Sequence, residues 1–145
     1  MKAYSIKQPY TNRILHGNKT IELSYWQTKY RGDLLICSRQ APADFIKKFP
    51  FTDSAGRNKV EDLDNGTEEY MFFGKALFVV ELYDLKPMDD EEEMAAYGLY
   101  SESLFLWHFR NVRPIIPFNV NSKRGLFEVD KPIVYQEREQ ILQMA

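Results

Sequence analysis

Apolar positions along this chain come in short bursts separated by polar turns, and several of the bursts repeat every second residue. Residues 2–7 alternate in this way and predict a first strand. Pro9 follows where a helix can begin, because a proline's missing N–H costs nothing in the first turn. Tyr10, Arg13 and Ile14 share one helical face, and Gly17 with Asn18 marks the stop. Residues 20–24 alternate again: Ile21 and Leu23 point one way, and Thr20, Glu22 and Ser24 the other. Arg31-Gly32-Asp33 reads as a turn, and the apolar run at 34–38 as a buried strand.

Residues 41–49 predict a short helix ended by Pro50. The polar stretch 51–70, with Gly56, Asn58, Asn65 and Gly66, reads as a long mobile loop. Residues 75–84 form the clearest strand, ended by Pro87. The acidic run 89–93 suits a solvated helix start, since acids favour that end of the helix dipole. Residues 104–116 predict an aromatic-rich strand that stops at Pro114 and Pro117. A turn at Arg124-Gly125 leads into a last strand at 126–129, and 135–144 predict a terminal helix. Five or six strands with helices between them make an α+β domain. Periodicity alone fits an open sheet and a small barrel equally.

Length adds that this is one domain, residues 1–145, with no repeat or linker to divide it. Hydrophobic residues at 44% and aromatics at 14% call for a packed core and argue against disorder. No apolar run approaches the roughly 18 residues of a membrane span, and residues 1–8 lack an apolar signal core. A cytoplasmic protein with no membrane partner is the expectation. The single cysteine, Cys37, excludes an internal disulfide and reads as a small core residue. His16 and His108 lie far apart, so neither a metal nor any other cofactor is expected.

The net charge of −2 conceals an asymmetry. Residues 1–60 carry eleven Lys/Arg against four Asp/Glu, whereas residues 61–102 carry two against thirteen. Such a split permits an anion-binding face and argues against charge-driven coating of DNA. The bland alternative is an acidic loop offsetting an ordinary basic surface.

Three features carry candidate chemistry. Lys19 and Glu22 stand three residues apart where a helix gives way to a strand. They read either as a surface ion pair or as a cation and an acid at the mouth of a pocket. Glu81 interrupts Leu77-Phe78-Val79-Val80, where a carboxylate needs a hydrogen-bonded partner or a raised pKa. Lys19 or an arginine is the natural candidate. Aromatic and basic residues interleave at Tyr25–Arg31 and at Trp107–Arg110. Rings stack on bases and cations hold phosphate, so this pattern suits single-stranded nucleic acid or a nucleotide; core packing is the alternative for each tryptophan.

These residues resemble a known family. Ser5-Ile6-Lys7-Gln8-Pro9-Tyr10 is similar to the opening motif of ASCH-domain proteins, and Gly17-Asn18-Lys19-Thr20-Ile21-Glu22 resembles their Gly-x-Lys-x-x-Glu motif. Trp26 to Gly32, Gly74 to Leu82 and Gly125 to Glu128 resemble later family segments in the same order, over roughly residues 3–130. The resemblance implies a small PUA-like mixed β-barrel with flanking helices and a cleft between barrel and helices. It implies binding of RNA or a nucleotide or nucleoside, and in some members hydrolysis. One branch deacylates an N4-acylated cytidine using Lys, Thr and Glu. Its Thr position is Glu22 here, so Lys19 and Glu81 carry over and the nucleophile does not. Ser24 stands where many relatives have Arg.

The expectation is therefore a polar pocket lined by Lys19, Glu22 and Glu81, the three candidate catalytic residues. Lys7, Gln8, Lys19, Trp26, Arg31, Ser38, Arg39 and Arg110 are the candidate ligand-binding residues. A hydrolase of RNA or of a modified pyrimidine nucleoside is the alternative function. A protein-interaction role for the acidic stretch 89–93 is a third.

Overall fold

The computed structural model describes residues 1–61, 66–88 and 104–137. Its elements run β1 (Lys2–Ile6), α1 (Tyr10–Leu15), β2 (Ile21–Ser24), β3 (Gly32–Ser38), α2 (Ala43–Lys48), β4 (Asn58–Glu61), β5 (Glu68–Met71), β6 (Lys75–Met88), β7 (Leu104–Asn119) and β8 (Phe127–Glu128). Six strands form one mixed sheet in the order β2-β7-β6-β3-β1-β8, and β4 and β5 pair separately. All neighbours in the large sheet are antiparallel except β1 and β3.

The alternation read from the sequence sorts side chains onto two faces. Tyr4, Ile6, Leu34, Ile36, Phe78 and Val80 enter one buried cluster, which also holds Ile14 of α1 and Trp107. Ala3, Leu35, Cys37 and Val79 enter a second cluster with Ile115 and Phe127. Both faces of β3 and of the first half of β6 are thus covered, which is why those strands read as unbroken apolar runs. Cys37 is a core residue, its thiol pushed up to about 12 by burial.

The sheet is mixed, as expected, but no ladder between β2 and β8 closes it into a barrel among the described residues. It is nevertheless strongly coiled. Tyr4 on β1 and Trp107 on β7 lie three strands apart, about 14 Å in a flat sheet. Their rings stack with centroids at 4.9 Å. Trp26, just after β2, packs edge-on against both, at 5.7 Å from Tyr4 and 4.7 Å from Trp107.

Three expectations are corrected. The loop over 51–70 contains the β4–β5 hairpin, aligned by Lys59 with Glu68 at 3.0 Å and tied to α2 by Asn58 donating to Phe49 O at 3.1 Å. Pro87, Pro114 and Pro117 do not end strands, because β6 runs to Met88 and β7 to Asn119. Beyond Leu82, β6 pairs with β7 alone, so Pro87 sits on a half-open stretch where a missing N–H is tolerated; beyond His108 β7 has lost β2, and around Pro114 that edge is taken up by residues 134–136 instead. The terminal helix does not begin at 135: Tyr135 bridges to Ile115, and the Gln136 amide donates to Pro114 O. Residues 138–145 and the acidic stretch 89–93 lie outside the described residues.

Candidate functional site

The one parallel pair in the sheet fixes the site. Ile6 faces Ser38 in register, so β1 and β3 release their chains at the same end, into Lys7 and Arg39. The Arg39 amide donates to Ile6 O at 3.1 Å. The chain after Lys7 turns at once into α1, with the Tyr10 amide on Lys7 O at 3.0 Å. Gln8 holds that turn in place: its Nε2 donates to Asn12 Oδ1 and to Phe72 O, each at 3.0 Å, and its Oε1 accepts from the Asn12 amide.

A cleft of about 350 Å³ opens beside this end. Lys7, Tyr10 and Arg39 stand on one side of it, and the β2 residues Glu22, Leu23 and Ser24 with Tyr25 and Trp26 on the other. Tyr4 lies at its base, where burial raises the phenol's pKa and Ser24 shares a hydrogen bond with it.

Glu22 is the chemically informative residue. It is drawn inward by the register of β2 on β7, directly opposite the fully buried Trp107. Its Oε2 is buried and accepts no hydrogen bond from any described residue. Lys19 Nζ stands at 3.9 Å from it, within ion-pair range but beyond a hydrogen bond, and also lies 5.5 Å from the Tyr10 ring. Burial pushes the Glu22 carboxyl upward; Lys19, the Leu23 amide and Arg39 pull it down and do not prevail. Glu22 thus brings to the lining of the cleft a buried acceptor that lacks a hydrogen-bond partner among the described residues, a group whose hydrogen bond is still to be made.

The sequence-predicted residues divide. Lys7, Glu22, Trp26 and Arg39 line the cleft, and Lys19 joins them through Glu22. Gln8 and Ser38 are buried and spend their polar atoms internally; Ser38 Oγ bonds Lys75 O and N. Arg31 donates to Thr28 O and Tyr30 O, capping its own turn. Glu81 and Arg110 form a bidentate pair at 2.7 and 3.1 Å, with the Arg110 guanidinium 4.5 Å from the Tyr83 ring. That pair lies next to a second one, Asp33 with Arg113 at 2.6 and 3.1 Å. The arginine holds Glu81 below its usual range, and neither residue lines the cleft. Tyr4, Tyr10 and Ser24 line it although none of them is among the candidate site residues; the sequence marks Ser24 only as standing where many relatives have Arg. The signal for Tyr4 was present: it precedes Ile6 by two and so shares its face.

Among the described residues no cluster of His, Cys, Asp and Glu has the makings of a metal site, and no helix is long and apolar enough to cross a membrane. Residues 5–118 match the ASCH domain family. Two crystal structures of mutant forms of an ASCH protein from Zymomonas mobilis share the fold. One covers 99% of this chain and 94% of its own at 11% identity and a TM-score of 0.51. The other covers 99% and 92% at 11% identity and 0.50. No curated protein sequence matches this one.

Proposed function

Because the chain belongs to the ASCH domain family, we propose that it binds RNA or a nucleotide, with a base seated in the Glu22 cleft. The family is a PUA-like, RNA-binding one. The observation that carries this reading is the buried Glu22 Oε2, which accepts no hydrogen bond, in a cleft with two cations, Lys7 and Arg39, that form no ion pair among the described residues. Glu22 takes a hydrogen bond from a base edge. Lys7 and Arg39 neutralise the attached phosphate. Tyr10 and Tyr25, 46% and 66% exposed at the rim, offer ring faces for stacking, and Trp26 forms the wall behind them. A volume of about 350 Å³ falls at the lower end of ligand pockets, roughly 300–1,000 Å³.

Calorimetry with short single-stranded RNAs, nucleotides and nucleosides tests the proposal. Binding is expected for wild type and for Glu81→Gln, and a clear loss for Glu22→Ala and Arg39→Ala. An absence of heat across the whole panel overturns it.

One observation favours a second reading, a hydrolase of RNA or of an acylated cytidine. The Glu22 pKa is raised by burial with Lys19 beside it, which suits a general base next to a charge-stabilising cation. Glu81, ion-paired and lowered, is poorly suited to that task. Turnover of acylated cytidines or labelled RNA that is abolished in Glu22→Gln supports this reading; no turnover removes it.

A further inference from the structure

A second and larger cleft, about 1,150 Å³, adjoins the first, and Lys7 and Arg39 line both. The two cations therefore stand on a shared wall rather than at the end of a pocket. The far side of the second cleft is aromatic. Phe45 lies 5.0 Å from Phe49 and 5.0 Å from Phe73, ring centre to ring centre, and all three are half-buried. Lys48 lies 5.4 Å from the Phe49 ring, and Arg13 lines the same cleft. Three acids, Asp44, Glu61 and Glu69, line it as well. Glu69 already accepts from Asn12 Nδ2 at 3.1 Å, and Glu61 stands 3.7 Å from Lys59. Arg13 and Lys48, like Lys7 and Arg39, form no ion pair with any described acid. Cations outside ion pairs beside half-buried aromatic rings are what a nucleotide strand requires: a cation for each phosphate and a ring edge or face for each base.

We propose that this second cleft is a subsite for the neighbouring nucleotide of a single RNA strand, the linking phosphate lying between Lys7 and Arg39 and the next base against Phe45 and Phe73. The inference rests on the Glu22 cleft taking the first base. It makes the preferred ligand a strand rather than a free nucleoside.

The test is a length series, with one-, two- and four-nucleotide ribonucleotides of each base titrated against wild type, Phe45→Ala and Lys48→Ala. No residue of α2 is fully buried, so both variants are expected to keep the fold, which circular dichroism checks. The four-nucleotide RNA is expected to bind at least about tenfold more tightly than the mononucleotide, as stacking of one further base predicts. Phe45→Ala removes most of that gain and leaves mononucleotide affinity unchanged. Lys48→Ala lowers the salt slope of four-nucleotide binding by about one and leaves that of the mononucleotide alone. Equal affinity at all lengths, or a length gain untouched by both variants, overturns the second subsite while the first stands. Failure of every length to bind overturns both.

Discussion

Lys7 and Arg39 are neighbours across the sheet although they lie far apart in the chain. Ile6 and Ser38, the residues before them, are register partners in the parallel ladder, and the Arg39 amide bonds back to Ile6 O. Two adjacent parallel strands deliver their next residues to the same edge, so both cations arrive at the same cleft.

Removal of either cation is expected to weaken nucleotide binding across sequences rather than for one base. Lys7→Ala and Arg39→Ala should each reduce the dependence of log affinity on log salt by about one. Titrations at several salt concentrations measure this. An unchanged slope would take the phosphate away from these residues.

Glu22→Gln should separate binding from stability. Burial raises the carboxyl's pKa in the folded chain, so folding favours the protonated form. That preference is fully expressed below the unfolded pKa of about 4.3 and is lost as pH rises through the higher folded value. Glutamine is neutral throughout. The variant is therefore expected to melt a few degrees above wild type at neutral pH, with the difference shrinking below about pH 4. Thermal melts across that range check it; a constant difference would count against burial as the cause.

Glu81→Gln and Arg110→Ala should leave ligand affinity where it is. Their bidentate pair stands outside both clefts. A large loss of affinity in either variant would place the ligand on the wrong part of the sheet.

Trp107→Ala is expected to destabilise the fold by about 3–5 kcal/mol, the usual range for deleting a large buried ring. Trp107 is fully buried, stacks on Tyr4 and donates from Nε1 to Trp26 O at 3.3 Å. Urea denaturation gives the value. A loss under about 1 kcal/mol would mean that the coil of the sheet does not depend on this ring.

Most strands were legible because burial on one or two faces leaves a direct trace in the residue pattern. The β4–β5 hairpin left none: it is aligned by Lys59 with Glu68 and by Asn58 on α2, contacts that composition does not announce. The prolines misled because their meaning depends on whether a neighbouring strand is present. Glu81 was read toward the pocket, yet β6 has register shifts between Val79 and Glu81 and again between Leu82 and Asp84. Such bulges break the period of two, so alternation alone did not fix which face the acid takes. Its partner is an arginine, one of the two candidates the apolar surroundings called for. Arg39 was visible as a cation. Its place beside Lys7 was not, since that follows from a parallel pairing no local pattern reveals.

Trp26 and Trp107 are the protein's two tryptophans, and their rings meet at 4.7 Å in the wall behind the cleft. All tryptophan emission from this molecule therefore originates within one ring contact of the site. Intrinsic fluorescence and near-ultraviolet circular dichroism read occupancy there without a label. The same two signals also report whether the coil of the sheet is intact. A variant that has lost its ligand is thus told apart, in one cuvette, from a variant that has lost its shape.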